Sequence, residues 1–334
     1  MDDPSVTRFL WVFATVLGLL GCNGNTALHT TVVNKVTEEP VKIALFSHQG
    51  DTTLWLDSKE QVQLWSKASA ALKTLPSDKI TRPIRHLVLS ADDTFLLYAS
   101  NNELAIWRLP DDKLIATTQF YGQSPLARIS ALALSSDKKR LVVGMEDGTI
   151  NMAELSTGVN HQFTPHSQKV TQLLIDQNGE KVLSGSLDGQ FALWQFAEPK
   201  ALFSKAYKHR ITSLAVDKDF TRVFVSDGLD AQEVIRLADG EVLAKLNYMS
   251  RFKAFRLAEF VPNSQLLVTT APKGQLSIWN SQTGEELGSG ISQAEREGSS
   301  IIDLHFIDSA TFETINSDGL IEAWDLQSLQ RPRG

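Results

Sequence analysis

Short alternations of apolar and polar residues, separated by turn signals, run along most of the chain. The clearest example lies between residues 166 and 194, where three alternating runs cover 170–175, 181–186 and 190–194. An Asn-Gly turn and an Asp-Gly turn separate these runs. Because period-2 alternation bounded by such turns predicts paired strands, this stretch predicts a three-stranded antiparallel meander. One meander leaves its edges unpaired, so its stability depends on neighbouring units.

The same pattern recurs along the chain with spacings of 41 to 46 residues. An anchor residue falls near the end of the third run of each unit, at Trp65, Trp107, Ala153, Trp194, Ile235, Trp279 and Trp324. The first runs share the pattern apolar-x-x-apolar-x-apolar and begin at Val41, Ile84, Ile129, Val170, Ile211, Phe255 and Ile301. A period of about 40–45 residues is typical of propeller blades with four short strands each.

On these repeats the chain resembles the WD-repeat β-propellers over about residues 27–326. Trp324-Asp325 alone keeps the Trp-Asp dipeptide of that family. The resemblance implies an all-β fold, a seven-bladed β-propeller with four-stranded antiparallel blades. It also implies a structural hydrogen-bonded tetrad, which in the fourth unit would contain His166, Ser184 or Ser186, Asp188 and Trp194.

The first thirty residues follow a different pattern. Phe9–Gly21 is an almost purely apolar run, shorter than the roughly 20 residues that a bilayer span needs and suited to a signal peptide. It ends at Cys22, the single cysteine of the sequence. The segment 19–22 resembles a bacterial lipobox, which implies cleavage before Cys22 and its lipidation, and Asn23 favours sorting to the outer membrane. The alternative is an incidental thiol after an uncleaved anchor.

The predicted boundaries are a signal peptide at 1–21, a lipidated tether at 22–27, a propeller at 28–326 and a C-terminal tail at 327–334. The last unit has no fourth strand after Trp324, whereas Leu28–Val36 is a β-branched run that precedes the first unit. We therefore predict that this N-terminal strand completes the seventh blade and closes the ring.

Charge and motif content narrow the class of function. The 32 basic and 39 acidic residues give a net charge of −7, which argues against a general nucleic-acid binder. The histidines and the single cysteine have no metal-ligand spacing, and no nucleophile elbow or phosphate-binding glycine loop occurs in the sequence. The sequence thus predicts a non-catalytic protein without metal or cofactor. A propeller enzyme with residues converging from several blades stays the alternative, because such a site has no linear motif.

Basic residues recur in the loops that lead into the first strands. Arg128, Lys169 and Arg210 directly precede the first strands of units three to five. The same set of loops adds Arg82, Arg85, Lys208, His209, Arg251 and Lys253. The loops into units seven and one instead contain Glu295, Glu297, Glu38 and Glu39.

First strands line the central channel in the family that the chain resembles, so these charges are expected around one mouth of the channel. Because arginine suits carboxylates and phosphates, the basic loops predict a docking surface for an acidic partner segment or an anionic ligand. The alternative is that exposed loops take charged residues without a binding role.

Together these features predict a lipid-anchored, non-catalytic interaction scaffold of the bacterial cell envelope. It would be a monomeric propeller on the outer membrane, facing the periplasm, with an unidentified envelope protein as partner. Two alternatives stay open: a propeller enzyme or anionic-ligand binder at the channel mouth, and a cytosolic scaffold with a hydrophobic N-terminus.

Overall fold

The computed structural model describes residues 26–76, 81–247 and 254–330. The chain first forms β1 (Thr26–Ala27) and β2 (Thr30–Lys35). Blade 1 contains β3 (Val41–Phe46), β4 (Thr52–Asp57), β5 (Val62–Ser66) and β6 (Ala71–Thr74). Blade 2 contains β7 (His86–Leu89), β8 (Phe95–Ala99), β9 (Glu103–Arg108) and β10 (Lys113–Gln119). Blade 3 contains β11 (Ile129–Leu134), β12 (Arg140–Met145), β13 (Ile150–Glu154) and β14 (Asn160–Phe163).

Blade 4 contains β15 (Val170–Ile175), β16 (Lys181–Ser186), β17 (Gln190–Gln195) and β18 (Lys200–Ala206). Blade 5 contains β19 (Ile211–Val216), β20 (Arg222–Asp227), β21 (Gln232–Arg236) and β22 (Val242–Lys245). Blade 6 contains β23 (Ala258–Phe260), β24 (Leu266–Ala271), β25 (Gln275–Asn280) and β26 (Glu286–Ile291). Blade 7 contains β27 (Ile301–Phe306), β28 (Thr311–Asn316) and β29 (Leu320–Asp325), and the short helix α1 (Gln327–Gln330) follows.

The blades form a ring around a central channel. An unbroken series of contacts between first strands runs from β27 through β3, β7, β11, β15 and β19 to β23. The molecule is therefore a seven-bladed β-propeller with antiparallel four-stranded blades, as the repeats predict. We call the end with the loops that lead into the first strands the top face. The end with the turns between first and second strands is the bottom face.

The hydrophobic core is divided among the spaces between blades. Each of seven clusters of buried side chains in the described part of the chain joins two neighbouring blades, and one of them joins blade 7 to blade 1. Second strands are consequently buried on both sides, as in β16, where residues 182–186 are all buried. Outer strands such as β6 are exposed along their length. This explains why apolar residues run almost without interruption through the second strands of blades 2 and 3.

The anchor residues occupy equivalent positions in their blades, as the sequence predicts. Trp194 pairs with Val182, the second residue of its neighbouring strand. Ala153 and Ile235, which replace tryptophan, occupy the same place opposite Leu141 and Val223.

The N-terminal segment closes the ring. β2 pairs antiparallel with β29, from Thr30 opposite Trp324 to Lys35 opposite Leu320, so the predicted fourth strand of blade 7 is confirmed. Two residues that the sequence assigns to the free tether differ from that expectation, because β1 pairs in parallel with β26 of blade 6. Leu28 then lies buried in the core between blades 6 and 7. The segment therefore contacts two blades instead of one.

Across the described ranges, we find no helix with the length and apolar character needed to span a bilayer.

Candidate functional site

A chain of hydrogen bonds between buried side chains fixes the loop that leads into blade 4. His166 Nδ1 lies 3.2 Å from Asp188 Oδ2, and His166 Nε2 lies 2.8 Å from Ser184 Oγ. Trp194 Nε1 donates to the same hydroxyl at 2.9 Å. Ser186 lies outside this chain and donates instead to a backbone carbonyl of the loop, at 3.1 Å. Burial lowers the pKa of His166, so the imidazole is neutral at pH 7 and serves as a structural link.

Other blades keep parts of this arrangement. Trp279 Nε1 donates to Thr269 Oγ1 at 2.8 Å in blade 6, and Trp324 Nε1 donates to Thr314 Oγ1 at 2.9 Å in blade 7. In blade 5, His209 instead contacts Asp230 of a surface loop, at 3.2 Å. Five of the seven blades hold the anchor tryptophan, but blade 4 has the full chain of four side chains among the described residues.

The predicted basic residues that the structure describes lie at the top face, and their charges are compensated to different degrees. Arg128 and Arg210 are exposed, and neither has a carboxylate within salt-bridge distance in the described part of the molecule. Lys169 is half-buried and lies 3.9 Å from Glu146. Arg85 donates to the neutral Asn101 side chain at 3.1 Å. Arg128 and Arg210 are therefore free to meet a partner, and Lys169 has only a distant carboxylate.

His86 reports on the electrostatics of the channel wall. Burial and, to a smaller extent, the positive charges of Lys169 and Arg85 together lower its pKa to about 4. These cations come from blades 4 and 2, so their fields overlap at one wall. A cavity of about 300 Å³ lined by Arg85, His86 and Thr171 opens there.

The acidic residues predicted for the loops into blades 7 and 1 are partly neutralised. Lys35 Nζ lies 2.6 Å from Glu38 and 2.7 Å from Glu295. Glu39 pairs with Lys59 at 2.7 Å, and Glu297 is exposed. Two lysines with one charge each thus contact three of these four carboxylates, so the acidic side of the face keeps part of its negative charge and is weaker than the sequence predicts.

Sequence reasoning missed two cations of the channel mouth. Lys42 and Arg256 line a cavity of about 380 Å³ together with Ser300. Each directly follows the first apolar residue of its unit, as Arg85 does. A comparison of the seven units at this position could therefore have identified both cations from the sequence. Arg256 reaches the Ser300 hydroxyl at 3.4 Å, whereas Lys42 pairs with Glu60 at 2.5 Å.

One cation from each of blades 1 to 6 thus lies near the top mouth of the channel. We call this set the cation ring: Lys42, Arg85, Arg128, Lys169, Arg210 and Arg256. Two further predicted residues, Arg82 and Lys208, are exposed in the same loops. The predicted residues Arg251, Lys253 and Cys22 lie outside the described residues.

Metal chemistry has no support in the described ranges, where no group of three or more His, Cys, Asp or Glu side chains could hold an ion.

The fold and the site define a β-propeller with a basic channel mouth. Some of its blades keep parts of the hydrogen-bonded tetrad that the resemblance to WD-repeat propellers implies. The family model described as "Vps42 beta-propeller" matches residues 124–283, which run from the loop before blade 3 into blade 6. Among curated proteins, the chain is similar to the target of rapamycin complex subunit wat1 of Schizosaccharomyces pombe, with 21% identity over 60% of this chain and 65% of that protein. It is also similar to the COMPASS component SWD3 of Saccharomyces cerevisiae, with 22% identity over 58% of this chain and 62% of that protein.

The chain spans less than two thirds of the length of these curated relatives. A chain in the crystal structure of a mitotic checkpoint complex has the same fold, with a TM-score of 0.71, 15% identity and coverage of 97% of this chain and 96% of the other. The sequence matches support the resemblance to WD-repeat β-propellers, and the structural match supports the fold alone.

Proposed function

We propose that this protein is a non-catalytic interaction scaffold that binds an acidic segment of a partner protein across its top face. The observation that carries the proposal is the exposure of Arg128 and Arg210 without a described carboxylate partner. A guanidinium can form two parallel hydrogen bonds to one carboxylate, and such a pair gains from charge as well as geometry. A partner with carboxylates spaced along an extended segment would satisfy several members of the cation ring together.

Two of the similar proteins are named as members of assemblies, a rapamycin-target complex and the COMPASS complex. Those names favour a role for this chain within an assembly. They do not supply its partner, which in our proposal is an envelope protein.

The proposal places the propeller at the bacterial outer membrane through a lipid on Cys22, facing the periplasm. The apolar run 9–21 and the single cysteine directly after it support this anchor. β1 begins at Thr26, so Cys22 can be at most about 14 Å from the rim of blade 6. A propeller held this closely keeps its rim near the membrane and leaves its top face accessible.

Crosslinking and capture from native envelopes test the proposal. Tagged wild type should fractionate with the outer membrane and retain a stoichiometric partner. Reversal of Arg128, Lys169 and Arg210 to Glu should abolish capture without changing the melting temperature. Unchanged capture by this variant would refute the docking surface.

The matched control reverses three exposed lysines of the bottom face, Lys113, Lys181 and Lys200, and should capture normally. Incorporation of labelled palmitate should disappear in Cys22→Ala. If that variant keeps both its lipid and its location, the anchor is wrong.

A second candidate is a propeller enzyme or binder of a small anion at the channel mouth. The cavity lined by Lys42, Arg256 and Ser300 favours the anion-binding part of it. A lipidated but solitary protein in the capture experiment would put this candidate first.

A further inference from the structure

The bottom face holds a cavity of about 520 Å³ between blades 5 and 6. The turn after β19 supplies one wall, with Asp217, Lys218 and Asp219, and the turn after β23 supplies the other. Phe260, Val261 and Pro262 make part of that second wall apolar. Glu259, the central residue of β23, lines the same cavity.

The one arginine of the cavity is already engaged. Arg222 Nε donates to Asp217 Oδ2 at 3.1 Å, and its Nη1 donates to Ser281 Oγ at 3.2 Å. Its guanidinium also lies 5.1 Å from the centre of the Phe260 ring. The charges of Arg222 and Asp217 therefore satisfy each other, and Arg222 is not available to neutralise a second carboxylate.

Glu259 has no hydrogen bond or ion pair with any residue in the described ranges. Two other acids of the bottom face do have partners, since Asp93 contacts His48 at 3.2 Å and Asp92 pairs with Lys138. The protein atoms around Glu259 and, to a smaller extent, the negative charge of Asp303 together raise its pKa to about 8. The Glu259 side chain is exposed to solvent through the open cavity, so a partner can reach its carboxylate.

Asp303 of blade 7 adds a second carboxyl to the same region of the channel. It accepts a hydrogen bond from the Phe46 backbone N–H at 2.8 Å, and burial still raises its pKa to about 7. Two carboxyl groups thus lie near each other, and neither forms an ion pair with a cation of the described ranges. A positive group placed beside Glu259 would relieve both.

We propose that this cavity binds the side chain of a lysine or arginine presented by a partner protein. The aliphatic stem of such a residue suits Val261, Phe260 and Pro262, while its charged end meets Glu259. A calcium ion is a poorer occupant because it requires six to eight oxygen ligands. The cavity lies on the face opposite the cation ring, so this proposal goes beyond the scaffold function and does not depend on it.

Chemical-shift titration of the ¹⁵N-labelled full-length protein tests the proposal. The probes are blocked pentapeptides with a central Lys or Arg, and a peptide with Gln at the same place is their control. Work at pH 8.5 keeps Glu259 largely ionised. The basic peptides should shift the amide signals of 216–219 and 259–265, and the Gln peptide should leave them in place. Equal shifts with all three peptides, or none with any, would overturn the proposal without any variant being made.

Substitutions then locate the charge. Glu259→Gln keeps the shape and should weaken the basic peptides at least about tenfold, since charge-assisted hydrogen bonds contribute about 1.5–3 kcal/mol. Asp219→Asn removes an exposed acid of the same cavity and should change affinity by less than about twofold. Equal weakening by both substitutions would indicate general electrostatic attraction and refute a site at Glu259. Displacement of the peptides by millimolar Ca²⁺ through shifts of the same amides would identify a metal site instead.

Discussion

At the scale of single residues, the hydrogen bonds of blade 4 show different roles for two serines that the sequence leaves as alternatives. Ser184 joins His166 to Trp194, whereas Ser186 caps the neighbouring turn. Ser184→Ala should cost about 2–4 kcal/mol in urea denaturation, because it leaves two buried ring nitrogens without a partner. Ser186→Ala should cost about 1 kcal/mol. Equal losses would contradict the assignment of Ser184 as the link.

His86 should make stability depend on pH in a defined window. Its pKa is about 4 in the folded protein and about 6.5 in the unfolded chain. As the pH falls, the unfolded chain therefore binds this proton before the folded protein does. The contribution of neutral His86 to the free energy of unfolding is complete above pH 6.5 and is lost as the pH falls towards 4. The loss is at most about 3 kcal/mol.

Denaturation of wild type and His86→Gln between pH 7.5 and 4.5 measures this contribution. The variant should lose less stability than wild type over that range. Glu259 and Asp303, whose pKa values are raised, act in the opposite direction, and the comparison cancels them. Exposed His161→Gln is the control and should follow wild type. Parallel curves for wild type and His86→Gln would refute the role of His86.

At the scale of elements, ring closure depends on a segment that lies next to the start of the propeller. Leu28 is buried between blades 6 and 7, beside Ile278 and Trp324, whereas Val32 four residues later is partly exposed. Leu28→Ala should lower the unfolding free energy by about 2–5 kcal/mol, and Val32→Ala should be nearly neutral. Because the ring shares its core between all neighbours, unfolding should stay a single transition at a lower denaturant midpoint. A separate early transition of blades 6 and 7 would contradict closure by this segment.

The strands could be predicted from sequence, but some of their partners could not. Alternation and Asp-Gly turns fix where strands begin and end, and seven agreeing registers place even Ala153 and Ile235 correctly. The sequence has no such signal for the parallel pairing of β1 with β26, because a strand of two residues is too short to show alternation. Leu329 of α1 likewise packs against the core between blades 6 and 7, although the sequence places it in a polar tail.

At the scale of the whole molecule, the sequence predicts which charges face the channel but not which of them cancel. Lys35 and Glu295 are 260 residues apart in sequence and 2.7 Å apart in the structure. The closure of the ring creates that pair, so no local pattern reveals it. The same is true of Glu259, whose lack of a cation becomes evident only when the neighbouring turn of blade 5 is placed beside it.

The uncompensated positive charge of the top face predicts how the association rate depends on salt. Exposed cations attract an acidic segment before contact, and salt screens this attraction beyond about 10 Å at 0.1 M ionic strength. The association rate with the captured partner should therefore fall by about tenfold or more between 50 and 500 mM salt. Reversal of Arg128, Lys169 and Arg210 should remove most of that dependence. The bottom-face control with Lys113, Lys181 and Lys200 reversed has the same net charge and should retain it, as stopped-flow fluorescence can measure. If both triple variants lose the salt dependence equally, net charge and not the cation ring directs association.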